Sequence, residues 1–544
     1  MIREHGSRRL WLRLGILATL VALASLTIAL LTPARSAGEA SDDVEWPTVN
    51  GTLDGQRYSP LTQIDTSNVK RLKVAWRFRV STLGSENYPV IVGRTAYVTT
   101  SFGRVFALDA KTGKKRWSVE PPKPKKGGLV FDLVHGAPNR GVAVGEGRVY
   151  TVTPNALLRA LDQRTGRLIW KVQLGNLLYL SESAAPIYYN GMVFVGSAGS
   201  ESGARGFEAA YDAKTGRQIW RHFTVPAPNA PGSFLTGHHG GGDIWMNATV
   251  DERSGRLYVA TGNPGSDFDP RIRPGRNLWT NSIVALDVKT GKQVWGYQLE
   301  HHDVWDFDSA SPPVLFPTKF GLAVGEANKG GFWHQVSAAT GKRLTKPVSF
   351  VYQHRVAAKP GGPPVVTWPG YFGGSEWSPV SFSPQTGLAY VSGLNVPIQI
   401  QVPKKPLKYS KGIDLGGTAT VSGPWVKKYK LAGTGTFTAI DVNTGKIRWQ
   451  KKEPVAMVGG STTTAGGLVF VGLSGKGLFQ ALDAKTGKVL WQNAVGGRID
   501  DAASVYSIDG KEYVLISSGG SFAGGPWGGM DQASPATFTA YALP

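Results

Sequence analysis

The sequence has no cysteine among its 544 residues. That excludes disulfides, thiolate-held metals and haem attached through a CxxCH motif. It leaves the compartment open, because an exported protein need not carry cystine. Charged residues are also scarce, at 18%, too few Glu and Lys for long charged helices. Acidic residues are outnumbered: 38 Asp and Glu against 60 Lys and Arg give a formal charge of +22. Such a surface attracts anionic polymers, lipids or acidic proteins. The basic clusters at 123–126, 404–411 and 427–430 nevertheless sit among Pro and Gly, as exposed loops do, without the interleaved aromatics of a nucleic-acid face. A solvated surface is the plainer reading, and nucleic acid is not an expected partner.

Glycine is abundant, with 70 residues, beside 17 Trp and 18 Tyr. This composition suits short strands joined by tight turns. At the N-terminus, Arg3, Arg8, Arg9 and Arg13 precede an uncharged run from Leu14 to Thr32, followed by Pro33-Ala34-Arg35-Ser36-Ala37. A basic start, an apolar stretch and a small-residue cleavage site form an export signal. The run is also long enough to cross a bilayer as a retained anchor. Residues 1–36 are therefore read as signal peptide or membrane anchor, residues 37–44 as a linker and residues 45–544 as the folded body. The expected location is periplasmic, extracellular or at the cell envelope.

One segment recurs. Ala107-Leu-Asp-Ala-Lys-Thr-Gly-Lys-Lys-Arg-Trp117 returns at Ala160–Trp170, Ala210–Trp220, Ala285–Trp295, Ala439–Trp449 and Ala481–Trp491, with a degraded copy at Gln335–Leu344. Each copy reads as strand, turn, strand: Asp bonds nearby N–H groups, Gly accepts a positive φ, and the Trp can pack between neighbouring sheets. A spacing of roughly 50 residues is that of one four-stranded propeller blade. Leu72–Val80 reads as an outer strand lacking its turn, and Ser534–Leu543 as an inner strand lacking its continuation. Joined, they complete an eighth blade and remove a free sheet edge. The expectation is an all-β, eight-bladed β-propeller closed by pairing of the two chain ends; an open solenoid is the alternative.

Over residues 45–544 the chain resembles the PQQ-dependent (quinoprotein) alcohol dehydrogenases. The resemblance is carried by Glu45-Trp46, Gly55-Gln-Arg-Tyr-Ser-Pro-Leu61 and Asn68-Val-Lys-Arg-Leu72, by Gly241-Gly-Asp-Ile-Trp245 with Leu257–Pro264, and by Asp303-Val-Trp-Asp306. It implies a dehydrogenase using pyrroloquinoline quinone (PQQ) and a metal ion. Glu201, Asn263 and Asp306 correspond to the metal ligands, and their hard oxygens suit Ca²⁺ or a similarly hard ion. Asp306 is also the implied catalytic base, and Lys329 the cation at the quinone oxygens. Trp245 corresponds to the floor on which PQQ stacks. Glu86, Arg140, Thr153, Asn395 and Trp527 match further cofactor contacts. Asp308, two residues beyond Asp306, is a fourth expected ligand: lanthanide-dependent members resemble this chain in carrying Asp there, whereas calcium-dependent ones carry a small uncharged residue.

The chain departs from the family at Val134-His135, where many alcohol-oxidising members have adjacent cysteines, so that one wall of the implied PQQ site differs, and at Val458, where Trp is common, so that the substrate side is altered. His238-His239 and His301-His302 flank the site in sequence, and surface or structural roles are the plainer reading. Without haem motifs, electrons must pass to a separate acceptor, with an alcohol or sugar as substrate. The competing reading is a non-catalytic propeller acting as a cell-envelope scaffold, since the Thr-Gly-x-x-x-Trp repeat also occurs in such proteins.

Overall fold

The computed structural model describes residues 43–544 apart from 84–85, 123–136, 177–179, 229, 231–232, 234–239, 407–417, 422 and 521–533. These residues are almost entirely strand and turn, with helix confined to three-residue 3₁₀ turns. Among them no helix is long and apolar enough to cross a membrane; the expected signal or anchor at 1–36 lies outside them.

The strands form a succession of four-stranded antiparallel sheets. The first runs from Val90 to Val119, the second from Ala143 to Gln173, the third from Ile187 to Phe223 and the fourth from Thr249 to Gln298. The fifth covers Val314–Ser349, the sixth Ser381–Glu453 and the seventh Ser461–Ala494, which gains Tyr58–Ser59 as a parallel edge. In the eighth, Ser504–Ile508, Lys511–Gly520 and Ser534–Ala542 are joined by Lys73–Leu83 from the other end of the chain. A further three-stranded sheet, Val365–Thr367, Ile398–Gln401 and Thr418–Thr420, interrupts the sixth and was not expected from the repeat.

The repeat has the same meaning in every sheet. Its Ala pairs with its Trp across the last two strands, as in Ala107↔Trp117, Ala210↔Trp220 and Ala481↔Trp491, and the register slips just beside that pair. Trp76↔Ala540 repeats this in the eighth sheet, although its two strands lie more than 450 residues apart in the chain. Six of these Trp then reach the next sheet. Trp76, Trp117, Trp170, Trp220, Trp295 and Trp449 donate Nε1–H to the carbonyls of Ala110, Gln163, Ala213, Val288, Ala338 and Ala484. The indole lies on the glycine of the next turn. At Gly291, φ is +67° and a Cβ would meet the Trp220 ring at 2.5 Å. Thr-Gly is required there for both turn shape and close approach.

In the degraded copy Leu344 replaces the indole, and Gln335 Nε2 donates instead to Val442 O of the sixth sheet at 2.7 Å. The first strands of the sheets lie side by side: first on second, second on third, fourth on fifth, and onward through the eighth, which touches the first. In a four-stranded meander, the loop entering the first strand and the loop joining the second to the third share one end of the sheet. Side chains from those loops can therefore meet.

Candidate active site

The loops that enter the first strands supply most of a buried charged site. Arg140 lies three residues before the second sheet and is 2% exposed. Its backbone N–H donates to Ser183 O, and its carbonyl accepts from Tyr88 N, so three consecutive entry loops are sewn together. Its guanidinium pairs with the buried Glu86 and donates to Ser183 Oγ at 2.6 Å and Trp245 O at 3.2 Å. It also lies 4.9 Å from the Trp245 ring centroid and 5.5 Å from that of Trp377. Burial pushes the Glu86 carboxyl up to about 7 even though Arg140 pulls the other way.

Trp245 carries a second cation on its ring, the Lys329 ammonium, 5.6 Å from the centroid. Lys329 follows the second strand of the fifth sheet. Its Nζ is 2.7 Å from Asp308 Oδ2 and 3.7 Å from Asp306 Oδ1. Burial alone would lower the ammonium, but Asp306, Asp308 and Glu376 hold it well above the ordinary lysine value. It therefore remains charged.

Asp306 adopts φ +64°, a left-handed conformation that costs energy in any residue with a Cβ. Asp308 accepts the Asn263 N–H at 2.5 Å, so both of its oxygens hold donors. Asn263 follows the second strand of the fourth sheet. Its Nδ2 donates to Asp267 Oδ1 at 2.7 Å. Since an ionised carboxylate only accepts, this orients the amide and leaves Asn263 Oδ1 buried without a hydrogen-bond partner among the described residues. Such an orphan acceptor suits a cation. Glu201 sits in the short turn Ser200–Ser202. That turn meets Asp243 through Ser200, and Asp243 O in turn accepts from Gly262 N, so its backbone is linked to the Asn263 loop. The Glu201 side chain lies outside the described set. Among the described residues no three Asp, Glu or His side chains gather on one point.

The structure thus joins Glu86, Arg140, Trp245, Lys329, Asp306, Asp308 and Asn263 in one connected set. Two other expected contacts, Thr153 and Asn395, make hydrogen bonds outside that set. The Thr153 hydroxyl donates to the Asn155 side chain, held there by the turn that follows its strand. Asn395 ends a strand of the sixth sheet and is committed on both sides: Oδ1 accepts from Tyr352 N at 3.0 Å, and Nδ2 donates to Thr434 Oγ1 at 3.2 Å. Trp527, Val134-His135 and His238-His239 lie outside the described residues. His301 and His302 bond Arg276 and the Gly275 carbonyl, away from the set. Val458 is fully buried in the cluster that contains Trp377.

Sequence reasoning missed Glu376, in the entry loop of the sixth sheet. It is 3% exposed, and burial raises its carboxyl to about 7 despite the pull of Lys329. It also missed Ser183. Ser183 could have been found by counting back from the first strand of each repeat, where Arg140, Ser183, Trp245 and Trp377 all stand three or four residues before it.

Comparison with known proteins gives the family of the chain. The family model described as PQQ: glucose/ethanol/alcohol dehydrogenase, β-propeller domain, matches residues 46–360 and 350–514. The quinohemoprotein alcohol dehydrogenase of Comamonas testosteroni is 33% identical over 534 residues, covering 89% of this chain and 73% of that protein. Among solved structures, quinohemoprotein alcohol dehydrogenase ADHIIG of Pseudomonas putida HK5 aligns with TM-score 0.84 at 29% identity, covering 92% of this chain and 80% of that one. A europium-containing methanol dehydrogenase aligns with TM-score 0.82 at 28% identity, covering 92% of this chain and 98% of that one. The fold is a β-propeller, and the chain belongs to the PQQ-dependent glucose/ethanol/alcohol dehydrogenase family.

Proposed function

We propose that this protein oxidises an alcohol or sugar hydroxyl to the carbonyl at the end of an eight-bladed propeller closed by Lys73–Leu83 on Ser534–Ala542. The observation that carries the reading is the Trp245 ring with Arg140 and Lys329 both held over it. An aromatic floor with two cations fits a planar tricarboxylate such as PQQ. A non-catalytic scaffold has no use for such a set, nor for the Asp306–Lys329–Asp308 charges beside it.

Trp245, Arg140 and Lys329 would hold PQQ, with Glu86 fixing the guanidinium. Asn263, Asp306, Asp308 and Glu201 would hold the metal. When bound, PQQ and its ion supply the two-electron acceptor and a Lewis acid. The chain's own part is proton transfer and exclusion of water. Asp306, beside the Lys329 ammonium, takes the substrate hydroxyl proton. The buried walls keep solvent from competing for it. The electrons leave to a separate acceptor, and the protein works outside the cytoplasm after export through its N-terminal segment.

Asp308 is proposed to select a trivalent ion. A third carboxylate beside Glu201 and Asp306 benefits a trivalent ion more than Ca²⁺. For this, Asp308 exchanges Lys329 for the ion. The test is activity reconstituted with PQQ and Ca²⁺ or La³⁺, in wild type and Asp308→Ala. We expect greater activity with La³⁺ in wild type and loss of that preference in the variant. Greater activity with Ca²⁺, or an Asp308→Ala protein that still prefers La³⁺, overturns the assignment.

A further inference from the structure

We propose that Asp303 is a positioning residue: with Asn281 it holds Asp306 in its left-handed shape and thereby aims the Asp306 carboxylate at Lys329. This rests on the reading of Asp306 as the proton acceptor.

Asp303 is fully buried, three residues before Asp306. Its Oδ1 accepts the Trp305 N–H at 2.9 Å and its Oδ2 the Phe307 N–H at 2.8 Å. One carboxylate therefore grips the backbone on both sides of Asp306. Asn281 completes the clamp: its Nδ2 donates to Asp303 Oδ2 at 3.1 Å and to Phe307 O at 3.0 Å. Asn281 in turn donates its own N–H to Gly262 O at 2.9 Å, next to Asn263. The clamp thus links the Asp306 loop to the loop carrying the orphan amide oxygen.

The flanking rings are fixed as well. Trp305 Nε1 donates to Val356 O at 3.0 Å, Trp305 stacks on Phe307 with centroids 5.4 Å apart, and the Arg355 guanidinium lies 4.8 Å from the Phe307 ring. A buried carboxylate is costly unless its lone pairs are filled, and here three donors fill them. Asp tolerates the left-handed region much as Asn does, and the clamp fixes that conformation where the Asp306 carboxylate lies 3.7 Å from the Lys329 ammonium. An amide at 303 can accept through one oxygen only, so one of the two N–H grips is lost; alanine loses both.

The experiment uses the full-length protein as wild type, Asp303→Asn and Asp303→Ala. It measures kcat and KM for the alcohol, PQQ affinity at saturating metal, and amide hydrogen exchange. Misplacing a reacting group by about 1 Å costs roughly 100-fold, so kcat should fall about 10–100-fold in Asp303→Asn and further in Asp303→Ala. KM and PQQ affinity should stay within about twofold. Exchange should accelerate in residues 304–308 of Asp303→Ala while the strand at 321–327 keeps its protection. An unchanged kcat, or kcat, KM and PQQ affinity falling together with protection across the fifth sheet, overturns the proposal. If wild type shows no PQQ-dependent turnover, the functional reading fails by itself. Exchange then decides this one: loss confined to 304–308 upholds the clamp, and unaltered protection removes it.

Discussion

The outer rim of this propeller and the loops that enter its first strands are built on opposite plans. On the rim, one contact recurs: a Trp on one sheet lies over the turn glycine of the next and donates to the carbonyl three residues before that glycine. In the loops that enter the first strands no single contact recurs in this way. The same structural position, just ahead of each first strand, holds Arg140 in one sheet, Ser183 in the next, then Trp245, and Trp377 two sheets later. Repetition secures the scaffold, and departures from repetition make the site. Even the rim tolerates one departure, where Gln335 links to Val442 in place of the missing indole.

The strongest break of this comparison is a pair of variants with opposite effects. Asp306→Asn should lower kcat about a thousandfold, within the range for a general base, without moving the urea midpoint. Trp220→Ala, at a rim residue 8% exposed, should cost about 3 kcal/mol of stability while the folded fraction keeps wild-type kcat. A rim variant that abolishes turnover without loss of stability would erase the distinction.

A smaller effect sharpens the rim half. Gly291 and Gly147 have φ near +70°, but only Gly291 faces an indole, whereas a Cβ on Gly147 meets nothing within 4 Å. Both alanine variants bear the left-handed strain, about 1 kcal/mol, and Gly291→Ala should cost a further 1–3 kcal/mol or so from overpacking. Equal losses in urea titrations would show that the rim needs only the turn.

The smallest effect concerns pH. Glu182, in the entry loop beside Ser183, is 1% exposed, and burial pushes its carboxyl up to about 8 although the Ser183 and Ala184 N–H groups pull it down. Its folded pKa exceeds the unfolded value, so the folded state binds more protons between about 4.5 and 8. Its contribution to stability therefore falls as pH rises through that window. Glu182→Gln should flatten the decline in urea midpoint between pH 5 and pH 8.5; an unchanged slope would assign the decline to other carboxyls.

The rim was the legible part of the sequence because contact and motif coincide there: Asp-x-x-Thr-Gly and Trp stand at fixed spacing in every intact copy, and Trp76 with Ala540 completes the pattern across the chain ends. The three-stranded insertion within the sixth sheet has no such repeat and passed unseen. The candidate site was legible only where flanking motifs marked it, as at Trp245 and Asp306. Glu376 and Asp303 carry no signal of their own, because their importance lies in burial and in backbone grips that spacing alone does not reveal. Asn395 shows the converse: a polar residue at a fitting point in the chain spends both ends of its amide on the backbone at Tyr352 and the Thr434 hydroxyl.

The central claim is that Trp245, under Arg140 and Lys329, is the floor of a PQQ site. The most direct measurement is equilibrium titration of PQQ into wild type and Trp245→Ala at saturating metal. The account predicts saturable binding to wild type and a loss of about 2 kcal/mol, roughly 30-fold in Kd, in the variant. Equal affinity in the two proteins would contradict it.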